Sequence, residues 1–132
     1  IDMDFYEVRY DDKAESELEF CKKMYKNHAI NSKNMNTVKS VILDISGGGI
    51  RFSLSTPLEE GTYFMAQFSL ALEECTQQFN IVCKVINCTQ SLDYADRYFA
   101  RSKFIFDRMT EREKIVRFVF EEERRIRRRE ME

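Results

Sequence analysis

The sequence predicts a mainly β fold, an antiparallel barrel or sandwich, with one helix inserted after the first strand and a second helix at the C-terminal end. Three observations predict it. Segments of strand length, alternating or wholly apolar, follow one another from residue 37 to residue 106 with short polar links and no helical pattern between them. Two stretches, 13–29 and 110–130, instead open on a capping box and place apolar residues at helical spacing. Glycine, with only 4 in 132 residues, is concentrated in a run of three at 47–49, between two strand patterns.

Residues 1–10 begin Ile1-Asp2-Met3-Asp4-Phe5 and alternate apolar with charged, which predicts the first strand; Asp11-Asp12 break it. Over 13–29, Ser16 with Glu19 fits a capping box, and Ala14, Leu18, Cys21, Tyr25 and Ala29 share roughly one helical face. Glu15, Glu17 and Glu19 precede Lys22, Lys23 and Lys26, which suits the helix dipole, and Glu19–Lys23 is an i,i+4 pair. Leu18 and Phe20 also alternate as in a strand, so that reading stays open here. Residues 31–36 read as a polar loop. Strands follow over 37–45, 50–55, 62–70, 79–87 and 98–106, with Pro57 and Gly61 bracketing a turn, a hairpin connection at 73–76 and a loop at 89–97. The last helix opens at Thr110 with Glu113 and carries Ile115, Phe118, Val119 and Ile126 on one stripe. In its tail Glu121–Arg125 and Glu123–Arg127 stand at i,i+4, so the charge largely neutralises itself and a solvated helical end is favoured over a polyanion contact.

Length and composition suit one globular domain: 43% hydrophobic and 33% charged residues, with 11 Phe and 6 Tyr to fill a core in place of Trp. A net charge of -2 supplies no global field for DNA. No apolar run approaches the ~20 residues that span a bilayer, and no signal-peptide pattern opens the chain. Cys21, Cys75, Cys83 and Cys88 form no CxxC pair and make a poor zinc set with the single His28, so they read as reduced thiols in a cytoplasmic protein. Asn87-Cys88-Thr89 fits a glycosylation sequon, which nothing else supports. The chain starts at Ile1 without a Met, and a fragment of a longer protein is expected.

No catalytic set emerges. His28 stands alone in a polar stretch and reads as a surface or helix-end residue, and Ser46 has no histidine near it in sequence. The acidic pairs Glu59-Glu60 and Glu73-Glu74 fall in predicted turns, where charge needs no catalytic explanation. What remains is Asp44-Ile45-Ser46-Gly47-Gly48-Gly49-Ile50-Arg51. A tight turn uses at most a glycine or two, whereas three in a row uncover the main chain to a ligand. Chemistry alone still favours a permissive hairpin.

Asp44-Ile45-Ser46-Gly47-Gly48-Gly49 resembles the (Asp/Asn)-x-Ser-x-x-Gly motif of PilZ domains, bacterial receptors for cyclic di-GMP. The strand order around it, and Phe104-Ile105-Phe106 leading into the helix from Glu111, are similar to that family and to its flagellar-brake branch. The resemblance implies a six-stranded split, or Greek-key, β-barrel with a C-terminal helix, to which the 11–36 helix is an addition. It also implies a second motif, Arg-x-x-x-Arg, before the first strand. No such pair occurs in residues 1–10: either both arginines lie upstream of Ile1, which truncation favours, or Glu7 replaces one of them. Arg101 stands where many relatives have Gly, which leaves the shape of that strand open.

By this resemblance the ligand is cyclic di-GMP, no cofactor or metal is needed, and the chain is a sensor and not an enzyme. Asp44 is expected to accept from guanine N–H groups and Ser46 to donate to a guanine or phosphate oxygen. Gly48 and Gly49 are expected to allow close backbone approach, and Arg51, on the face opposite Ile50 and Phe52, to point toward the ligand. Binding would switch the surface shown to a protein partner, such as a flagellar motor component. The alternative is a degenerate PilZ module that binds proteins and no nucleotide.

Overall fold

A computed structural model describes residues 1–10, 16–34 and 36–131. The strands are β1 (Asp2–Val8), β2 (Val38–Ile45), β3 (Gly49–Leu54), β4 (Tyr63–Ala71), β5 (Thr76–Gln90) and β6 (Tyr98–Ile105), and the helices are α1 (Glu17–Asn34) and α2 (Met109–Met131). All strand pairs are antiparallel, and they close a barrel in the order β1-β2-β3-β6-β5-β4. The barrel is therefore two three-stranded meanders joined edge to edge. Because β3 and β4 stand on opposite sides of the ring, their connection must cross one mouth, and there Leu58 is buried while Gly61, at φ 85, makes the turn into β4.

Period-2 alternation fills the interior. Phe5, Phe52 and Phe64 meet edge-on at centroid distances of 5.8, 5.2 and 5.4 Å, and Phe68 stacks on Phe79 at 5.5 Å. At the other mouth α2 lies across the opening and buries Ile115 and Phe118 in the same cluster. Glu121, also buried, ties this helix to the β4–β5 hairpin: it accepts from the Glu73 amide at 3.1 Å and from Arg117 Nε at 3.0 Å. Thr110 sits inside the first turn of α2 and makes no cap bond, because the helix begins at Met109. Neither predicted pair of the tail forms. Glu121 turns inward to Arg117, Arg125 pairs instead with Glu122 at 3.0 Å, and Ile126 is exposed because α2 has run past the barrel.

The predicted break at Asp11-Asp12, together with Ala14 and Glu15, lies outside the described residues. From Ser16 on, α1 is capped as expected, since the Glu19 amide donates to Ser16 Oγ at 3.3 Å. Its orientation differs from the sequence reading. Leu18 and Ala29 face solvent, while Phe20, Cys21, Met24 and Tyr25 pack with Tyr6, Tyr63, Met65 and Val82 on the outside of the barrel. Aromatic outward positions on β1 and β4 attract the side of the helix that carries Phe20, and this outweighs the stripe counted along the helix alone. Glu19 and Lys23 form no ion pair. Glu17 instead accepts from Tyr63 Oη and pairs with Lys84 at 3.5 Å, and the tyrosine holds its carboxyl below the usual range. The helix also continues to Asn34, through most of the polar loop expected at 31–36. His28 is thus neither at a helix end nor on the surface: it is half-buried, with Tyr6 Oη 2.6 Å from Nδ1. Among the described residues no helix is long and apolar enough to cross a membrane.

Candidate functional site

The loop between β2 and β3 is braced by its own serine. The Gly48 amide donates to Ser46 Oγ at 3.2 Å, Ser46 Oγ points back to the Gly49 carbonyl at 3.5 Å, and the Ser46 amide donates to that same carbonyl at 3.0 Å. None of the three glycines has positive φ, so turn strain does not explain them. Close approach does. A Cβ on Gly49 would lie 2.0 Å from the Ser102 carbonyl of β6, and one on Gly47 would lie 2.8 Å from Val116 Cγ2 of α2. Only Gly48 faces open space, with Ser46 Oγ at 3.9 Å its nearest contact. The loop is thus wedged between the barrel wall and α2, with one glycine left open to solvent.

A bulge in β2 between Ile42 and Asp44 turns Asp44 to the outer face, directly opposite Arg51. Arg51 points outward as expected, and there it meets Asp44: Nε and Nη2 both reach Oδ2 at 2.7 Å. Asp44 Oδ1 has no partner among the described residues. This pair is largely solvated, with side chains 41% and 69% exposed, so it contributes about 0–1 kcal/mol to stability.

An open cavity of about 360 Å³ unites these groups, lined among others by Asp44, Ser46, Gly48, Gly49, Arg51 and Arg101. That is the small end of the roughly 300–1,000 Å³ of ligand sites, enough for part of a nucleotide. Every candidate residue of the sequence therefore lines one depression. Sequence reasoning missed Arg101 and Lys103 as its members. The signal was available in their spacing, since two residues apart on a strand share a face, but the strand's neighbours were not known. Strand β6 itself is regular at Arg101, and the distortion sits across from it, in a β5 bulge that pushes out Ile86.

A larger groove of about 1010 Å³ runs along β1 and β2 toward α2. Asp2, Asp4 and Glu122 outnumber Lys39 and Arg97 in its lining, so it does not suit an anion. Among the described residues no cluster of His, Cys, Asp or Glu could hold a metal ion.

Fold and loop together define a small antiparallel barrel with a glycine-rich depression, bordered by Arg51, Arg101 and Lys103, on its outer wall. Residues 25–121 match the model of the PilZ domain, and the chain belongs to the PilZ family. That match includes the glycine loop, all strands from β2 to β6 and most of α2, and leaves β1 and the start of α1 outside. Neither the curated proteins nor the solved structures contain a match to the chain.

Proposed function

We propose that the chain is a cyclic di-GMP receptor domain, not an enzyme, that binds its ligand on the outer wall at Asp44, Ser46, Gly48, Gly49 and Arg51. The observation that carries this is the single cavity in which a carboxylate with one open oxygen stands beside three cations, Arg51, Arg101 and Lys103. A guanine offers two N–H donors on one edge, which a carboxylate accepts and which adenine cannot present together; the phosphates match the cations. Gly47 supports a switch, because the room left by its missing side chain seats the loop close against Val116 of α2, so that a ligand on the loop has a direct route to the helix. The outer side of α2, where Phe120 is exposed, is then the surface that a protein partner reads.

One observation favours the nucleotide-free alternative: Arg51 already occupies Asp44. Calorimetric titration of the full-length protein with cyclic di-GMP separates the two. Micromolar or tighter binding that is lost in Asp44→Ala and Ser46→Ala, with thermal melts close to wild type, supports the receptor. A protein that gives no binding heat is the partner-binding module.

A further inference from the structure

We infer that Arg101 and Lys103 of β6 form a phosphodiester subsite on the barrel wall itself, separate from the arginines that the family motif places before the first strand. This deepens the receptor reading and rests on it. Strand register puts Arg51 opposite Arg101, and places Lys103 between Gly49 on β3 and Lys84 on β5. Two like-charged pairs therefore stand directly across neighbouring strands, an arrangement that destabilises a sheet.

The outer members of this group are compensated: Arg51 by Asp44 at 2.7 Å, Lys84 by Glu17 at 3.5 Å. Of the inner two, Arg101 has no such partner, and Lys103 shares the field of Glu17 without pairing with it. Arg101 and Lys103 are exposed and form no salt bridge among the described residues, in a chain whose acidic residues outnumber its basic ones. Successive outward positions on one strand lie roughly 7 Å apart, and beside these two cations the loop leaves bare backbone at Gly48. The guanidinium offers a fork for two oxygens of one phosphate, and the ammonium adds a point charge. Flanked by Asp44 and Glu17, the patch is too short for a polyanion and fits a small cyclic dinucleotide.

The test compares wild type, Arg101→Gln, Lys103→Gln and a control, Lys23→Gln on the exposed side of α1, in the full-length protein. Each β6 variant is expected to weaken cyclic di-GMP binding about tenfold, the loss of one charge-assisted contact. Each should also flatten the dependence of affinity on NaCl, while the control changes neither. Melting temperatures of the β6 variants should equal or exceed wild type, because a repulsion is relieved. Unchanged affinity in both β6 variants, with Asp44→Ala still abolishing binding, overturns the subsite and leaves the receptor reading intact. If wild type binds no cyclic di-GMP, the receptor reading fails, and inorganic pyrophosphate followed by amide NMR decides the subsite. Shifts confined to residues 48–51 and 101–103, and absent in the double variant, support it; shifts spread over surface lysines overturn it.

Discussion

At the scale of single residues, the three glycines of the loop divide by what their missing side chains make room for. Gly49 admits the Ser102 carbonyl, which its Cβ would approach to 2.0 Å, and a backbone atom cannot step aside as a side chain can. Gly49→Ala is therefore expected to destabilise the fold by about 3 kcal/mol, at the upper end for overpacking. Gly48→Ala meets nothing closer than Ser46 Oγ and should stay within about 0.5 kcal/mol of wild type. Urea unfolding of both checks the contrast, and equal losses would sink it. The pair also separates folding from ligand contact, since only Gly48 can be changed without moving β6. The sequence marked the run as unusual but not which glycine does what, because that depends on β6 and α2, more than fifty residues away. For the same reason Asp44 and Arg51 were legible as candidates, while their mutual ion pair was not: a bulge decides which residue of β2 faces Arg51, and nothing local announces it.

Among the elements, α1 shows how tertiary contacts redirect a helix that sequence patterning had placed. Its cap at Ser16 was legible because capping is local, but its buried side was not, because Tyr6, Tyr63 and Met65 choose it from the barrel wall. That choice buries His28 against Tyr6, with the rings parallel to within 3°. Burial pushes the His28 pKa down, only partly offset by a hydrogen bond to Asn80. The unfolded chain then binds this proton more readily than the folded one. Stability from a neutral His28 is fully present above the unfolded value of roughly 6.5 and is lost as pH falls below it. Glu17, also lowered, acts in the same direction but in the acid range of carboxylates, so the two windows are distinct. Denaturant midpoints of wild type should fall between pH 7.5 and pH 5.5, and those of His28→Gln should fall less. Parallel curves for the two proteins would show that His28 contributes nothing to the pH dependence.

For the molecule as a whole, antiparallel strands and a terminal helix follow from period and turn signals, but the ring order β1-β2-β3-β6-β5-β4 does not, since the main chain of any strand can pair with any other and the side-chain packing that selects the partner has no local signature. What α2 does was hidden for the same reason. Its apolar stripe stops mattering after Glu121, where the helix leaves the barrel mouth that Ile115 and Phe118 close. Burial of two such side chains is worth about 3–6 kcal/mol, against the roughly 5–15 kcal/mol that separates a typical domain from its unfolded state. Removing residues 109–131 should therefore leave the barrel largely unfolded at room temperature, with its phenylalanines open to solvent. Removing only 124–131 takes away exposed residues and one surface ion pair, Arg125–Glu122, and should move Tm by less than about 5 °C. A cut before Glu121 falls between these, because it frees Arg117 and the Glu73 amide that the buried carboxylate had satisfied. Calorimetric melts of the three truncations give an ordered series if α2 is a stopper whose working part ends at Glu121. A drop on losing 124–131 as large as on losing 109–131 would mean that the arginine-rich end also bears on the fold.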